Sequence, residues 1–222
     1  MELIFHEYMH VVLAGAVGLF LILISWAANK RLRHTEKCLV PQDKATPSTI
    51  FEVVVEAILG LMEGVLGKKA WEYFPLIGAL FIYIFTCNLI GLIPGLSPPT
   101  DNINTNAACA LIVFLYYNYL GIKEQGVKNY LKHFMGPVIW LGPLMLVIEL
   151  ISHLVRPVSL SVRLFGNMTG DHLVLGVFSK LTPLFVPIIF LGLGLFISFI
   201  QAFVFSLLSI VYIGLATEKS HH

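Results

Sequence analysis

The chain has 222 residues, 57% of them hydrophobic and only 12% charged, with a formal net charge of +1. A soluble domain carries about 25% charged residues, so this composition excludes an ordinary soluble protein and suits a single membrane domain over residues 1–222. The basic residues lie in loops flanking apolar runs, which argues against nucleic acid as a partner and for a lipid membrane.

The first apolar run is 11–29, uncharged and long enough to span. Glu2, His6 and Glu7 precede it, and Lys30, Arg31 and Arg33 follow it. That order reads as a retained first helix, because a cleaved leader has its basic residues in front. Next comes 48–66, an amphipathic surface helix with Ser48, Glu52, Glu56 and Glu63 at helical spacing on one face. Thr49 followed by Glu52 is a capping-box pattern. The alternative for this segment is a short sixth span.

Residues 73–122 read as a helical hairpin, its first helix stopping near Pro94-Gly95 and its second starting near Asn102. The remaining stretch, 137–217, holds two apolar segments, each about twice the roughly 20 residues that a span requires. Segments of that length tilt steeply, kink at Pro157, Pro183 or Pro187, or hide a re-entrant break. The fold class is therefore an all-α polytopic membrane protein, with five membrane-embedded helices, a surface helix, and a long, tilted final pair.

With the N-terminus outside, all of the 14 basic residues except Lys180, Arg156 and Arg163 fall on the cytoplasmic side, as does the C-terminus. Cys38, Cys87 and Cys109 have no metal-ligand spacing and read as packing residues, so no metal site is expected. No cofactor is expected either.

Chemistry concentrates in the fourth apolar stretch. Glu149, His153, Arg156, Arg163, Asn167 and Asp171 follow one another at steps of three, four or seven residues, interrupted only by Leu160. Those steps give a polar stripe about 33 Å long at helical rise, close to the thickness of the hydrocarbon core. An arginine at the centre of a span costs about 2.5–3.5 kcal/mol on insertion scales. Snorkelling at the ends, or an internal ion pair, are the structural explanations. Arg163 lies too deep for the first. Its guanidinium is a fixed cation, whereas Asp171 and His172 exchange protons and Asn167 hydrogen-bonds water. A fixed cation beside titratable groups suits an ion translocator. Gly166, Gly170 and Gly176 would admit another helix or water, and Gly192 and Gly194 would form a matching groove. Gln201 either lines the path or bridges two helices.

PVSLSVRLFGNMTGDH, together with FISFIQAFVFSLLSIVYIGLA, resembles subunit a of the F-type ATP synthase, bacterial type; TCNLIGLIPG and PPTDNINTNAACAL extend the likeness over most of the chain from about residue 70. The resemblance implies the proton-conducting stator subunit of a rotary motor in the bacterial inner membrane. Its last two helices would curve around a ring of c subunits, beside a b-subunit peripheral stalk and the remaining subunits of the synthase. By the same resemblance Arg163 matches the essential arginine facing each c-subunit carboxylate. Asn167 and Gln201 match polar residues near two aqueous half-channels, and Glu149, Ser159 and His172 match positions associated with proton access. One half-channel is expected past Asp171, His172, Asn167 and Asp101, the other past Glu149, His153 and Ser159. Asp171 and His172 remain alternatives for the last relay. Some relatives carry glycine where Asp171 stands and histidine where Gly194 stands, as though the ionisable group had moved to the facing helix. The chain alone would catalyse nothing. The rival reading, a secondary transporter with a midplane site, would call for inverted repeats, and the halves of the sequence show no convincing one.

Overall fold

A computed structural model of the chain describes residues 2–32, 47–93, 96–127, 130, 142–181 and 185–217. Cys38, Pro94-Gly95, Pro183 and residues 137–141, all singled out in the sequence, lie outside these. Helices α1 (Glu2–Leu32), α2 (Pro47–Leu66), α3 (Ala70–Ile90), α4 (Ile103–Gln125), α5 (Gly142–Leu181) and α6 (Phe185–Thr217) account for nearly all the described residues, and none of those forms a strand. Five helical stretches are long and apolar enough to cross a membrane, one of them running through α2 and α3 together.

α1 extends past the expected run at both ends. Val12, Ile22 and Trp26 are exposed on it, and Val17 alone among its described side chains is buried, as suits a helix bathed largely in lipid. Its tie to the bundle includes the Tyr83 hydroxyl, which donates to the Ala14 carbonyl at 3.3 Å.

α2 begins at Pro47, ahead of the expected cap at Thr49. Proline suits a first helical turn because the amide it lacks has no intrahelical partner there. Ile58 and Met62 bury against the core while Glu56 and Glu63 stay exposed. Gly67, at φ 59°, turns the chain into a 3-10 turn, Gly67–Lys69, that leads directly into α3. Lys69 then pairs with Glu124 of α4 at 2.6 Å.

α3 packs on α6, and α4 packs on both α5 and α6. The core between them is made by Ile77, Phe81 and Ile84 of α3, Val113 and Tyr117 of α4, Leu160 and Leu164 of α5, and Phe205 and Ile213 of α6. α3 stops at Ile90, earlier than the expected Pro94-Gly95. Its cap, Gly91, lies against Pro98: a Cβ there would be 2.8 Å from the proline ring. A 3-10 turn, Pro99–Asp101, then delivers the chain to α4, whose cap Asn102 accepts from the Asn104 amide at 2.9 Å.

α5 is 40 residues long and runs unbroken through Pro157, a length of about 60 Å. Ser161 hydrogen-bonds the Pro157 and Val158 carbonyls, both at 3.0 Å, within the turn that the proline begins. Much of the helix faces outward, exposing Ile151, Val158, Val162, Leu173 and Val177.

Candidate functional site

The polar residues of α5 fall into separate groups rather than one continuous seam. A helical residue turns about 100° from its neighbour, so wedging α5 against both α4 and α6 sends nearby side chains to different partners. Leu160 and Leu164 are buried between those groups.

Toward the start of α5, His153 is buried against α4. Asn118 fixes its chemistry. The Asn118 amide donates to the Phe114 carbonyl at 2.7 Å, turning its Oδ1 toward His153 Nε2, 2.8 Å away, and toward the Tyr130 hydroxyl, also at 2.8 Å. An amide oxygen only accepts, so Nε2 carries the proton. Burial raises the pKa of the Tyr130 phenol above its ordinary value while Arg156 pulls it down. Tyr117 closes the group, its hydroxyl 3.4 Å from the same imidazole nitrogen. Glu149 borders this group and pairs with Arg156 at 3.7 Å; the Arg156 guanidinium lies 5.3 Å from the centre of the Tyr212 ring. Arg156 is thus satisfied within the chain. Ser159 is half-buried and makes no side-chain hydrogen bond among the described residues.

Arg163 differs. It is exposed, and among the described residues it has no hydrogen-bond or ion-pair partner. It lies about 21 Å along the helix from Glu149 and about 14 Å from His172, well inside the two ends of the polar set.

One turn beyond, Asn167 donates to Gln201 Oε1 of α6 at 2.5 Å, and Gln201 is only 3% exposed. Gln201 therefore bridges two helices and also borders a cavity of about 460 Å³, shared with Asn167, Gly170, Asp171 and Ile197. Asp171 points into the α5–α6 seam. A Cβ built on Gly194 would meet Asp171 Oδ2 at 2.8 Å, so the glycine leaves room for the carboxylate. This is the one part of the expected glycine groove that appears within the chain. At Gly166, Gly170, Gly176 and Gly192 a Cβ would meet nothing within 4 Å among the described residues.

His172 follows Asp171 in sequence but joins a different set. Its Nδ1 lies 3.6 Å from Asp101 Oδ2, and Thr169 donates to Asp101 Oδ1 at 2.5 Å. The expected quartet of Asp171, His172, Asn167 and Asp101 is therefore two constellations, one against α6 and one against the Pro99–Asp101 turn.

Residues 9–214 match the family described as ATP synthase A chain. The chain belongs to that family. It is 46% identical to the ATP synthase subunit a of Bdellovibrio bacteriovorus, over 97% of this chain and 94% of that protein. It is also 46% identical to the ATP synthase subunit a of Geobacter sulfurreducens, over 97% and 93% of the two chains. The corresponding protein of Trichlorobacter lovleyi is 47% identical over 95% of this chain and 88% of its own length. Membership agrees with the helical architecture: this is an all-α polytopic membrane protein of the bacterial subunit a type.

Sequence reasoning missed Thr169, Asn118, Tyr117, Tyr130 and Tyr212. Thr169 had a signal, being a hydroxyl within the polar part of an apolar segment. The others lie on neighbouring helices or beyond the end of α4, and only packing brings them to α5.

Proposed function

We propose that this chain is the proton-conducting stator subunit of the membrane sector of a bacterial ATP synthase, in the inner membrane with its N-terminus outside and its C-terminus in the cytoplasm. It provides two offset aqueous half-channels to the carboxylates of a rotating c-subunit ring. Arg163 is the charge that separates them. A b-subunit peripheral stalk and the remaining synthase subunits complete the assembly.

The observation that carries this reading is the contrast between the arginines of α5. Arg156 is paired with Glu149 and lies against Tyr212, whereas Arg163, in mid-helix, faces outward with no partner in the described chain. A guanidinium at that depth is costly unless an anion or water meets it. The anion in this reading is the c-subunit carboxylate, which arrives ionised, pairs transiently with Arg163, and leaves when it is protonated.

The outer half-channel runs past the Asp101–His172–Thr169 and Asp171–Asn167–Gln201 groups. The inner one runs past Ser159 and the group around His153 and Glu149. His172 and Asp171 both exchange protons, and Arg163, which does not, prevents a direct proton leak between the half-channels. Each charge crossing the membrane supplies about 2.3 kcal/mol per 100 mV, and the offset between the half-channels turns that energy into rotation. In inverted vesicles, Arg163→Ala is expected to abolish ATP-driven proton pumping while the complex still assembles. Coupled pumping at the normal rate by that variant would sink the reading.

A further inference from the structure

The Pro99–Asp101 turn carries the Asp101 carboxylate on only three residues of 3-10 helix, a length with little rigidity of its own. What fixes it is Thr100, which is 1% exposed. The Thr100 hydroxyl donates to Asn88 Oδ1 of α3 at 2.8 Å, and its carbonyl accepts from Asn106 Nδ2 of α4 at 2.7 Å. Asn88 in turn donates to the Ser198 carbonyl of α6 at 3.5 Å. Asn88 and Asn106 are 1% and 0% exposed. The residue immediately before Asp101 is therefore held at both its side chain and its carbonyl, by different helices.

Such bonds are strong where water is excluded, and removing one leaves a buried polar atom unpaired. A turn that needed only to connect two helices would not require this much polar burial. We infer that Thr100, held by Asn88 and Asn106, is a positioning residue for the outer proton path: it fixes the Asp101 carboxylate against Thr169 and His172. With the carbonyl of residue 100 and its side chain both fixed, the peptide entering Asp101 has one orientation, and the carboxylate, which is partly exposed, is turned toward α5. The titratable groups nearest on α5 are His172, which faces Asp101, and Asp171 beside it. The inference rests on the proposed outer half-channel.

The test uses membranes carrying the complete synthase, with ATP synthesis driven by an imposed gradient and measured against outer pH. Thr100→Val keeps the shape of the side chain and removes the hydroxyl; Thr100→Ser keeps the hydroxyl. Thr100→Val is expected to lower the rate about fivefold, the equivalent of one buried hydrogen bond, and to shift the outer-pH profile. Thr100→Ser is expected to restore both. If Thr100→Val lowers the rate by one factor at every outer pH, or leaves it unchanged, the positioning role is overturned. Should Thr100→Val reduce the amount of chain in the membrane, Asn106→Ala serves in its place and is judged by the same profile; it removes the carbonyl grip together with an Oδ1 that has no partner among the described residues. Asp101→Asn separates this inference from the reading beneath it. An unchanged rate and profile in that variant would remove Asp101 from the path altogether.

Discussion

Gly194→Ala adds a single methyl group in the seam between α5 and α6, and its consequence can be worked from the geometry. The new carbon would lie 2.8 Å from Asp171 Oδ2 and 2.7 Å from Leu92 Cδ2, where ordinary van der Waals contact begins at 3.4 Å. Both obstacles are ends of side chains, so the backbone holds and the side chains give way. The carboxylate must retreat by about 0.6 Å or rotate out of the cavity that it shares with Asn167 and Gln201. Overpacking costs about 1–3 kcal/mol. Movable neighbours put this case at the lower end, about 1–1.5 kcal/mol, or roughly five- to tenfold in an equilibrium. ATP-driven proton pumping in inverted vesicles, normalised to the amount of chain present, is expected to fall by that factor. Gly15→Ala is the control, since a Cβ there meets nothing within 4 Å, and it should pump normally. Normal pumping by Gly194→Ala would refute the claim that the Asp171 carboxylate works from its place opposite the glycine. Loss of the chain from the membrane would refute the claim that side chains absorb the methyl.

Gln201→Leu withdraws the acceptor of the Asn167 amide; Asn167 is exposed, so the loss is the net value of one hydrogen bond, about 0.5–1.5 kcal/mol, and pumping should drop roughly two- to tenfold, with Gln201→Glu, which keeps the oxygen, recovering part of it. Gly121→Ala addresses stability. Its Cβ would lie 2.5 Å from the Tyr130 ring and 3.2 Å from the Ala216 carbonyl, and Tyr130 is held by Asn118. A loss of about 2–3 kcal/mol is expected, read as a lower melting temperature of the purified complex; an unchanged temperature would show that Tyr130 yields freely.

How much of this could be read from the sequence depended on the range of the forces involved. Apolar runs report the need to satisfy backbone in lipid, which is local, and α4 begins and ends within a few residues of its apolar stretch. The departures have local causes as well: Pro47 starts α2 ahead of Thr49, and the close approach of Pro98 ends α3 at Gly91. The polar residues of α5 were legible as a set because charge in an apolar segment is conspicuous. Their partners were not. Adjacent residues diverge by about 100° on a helix, and no periodicity shows that Asp171 meets Gly194 while His172 meets Asp101. Asn88, Thr100 and Asn106 carry no charge, and their burial depends on where α3, α4 and α6 converge.

The two arginines of α5 show why partners matter more than residue type. They lie seven residues apart, two turns on the same helix, with the same guanidinium, and each is costly to place in hydrocarbon. Arg156 meets a carboxylate and an aromatic face, each supplied by the chain itself. The ion pair lies within α5, and the contact with Tyr212 helps hold α5 to α6, so Arg156 needs nothing more. Arg163 has the open glycines Gly166 and Gly170 following it and no ion-pair partner among the described residues. Asn167 and Gln201, one turn farther on, are already committed to each other. A chain whose only concern was its own stability would place leucine at residue 163, as it does at Leu160 and Leu164. In the proposed reading a cation is kept there because an anion comes to it from outside, and the open glycines would let that anion come close.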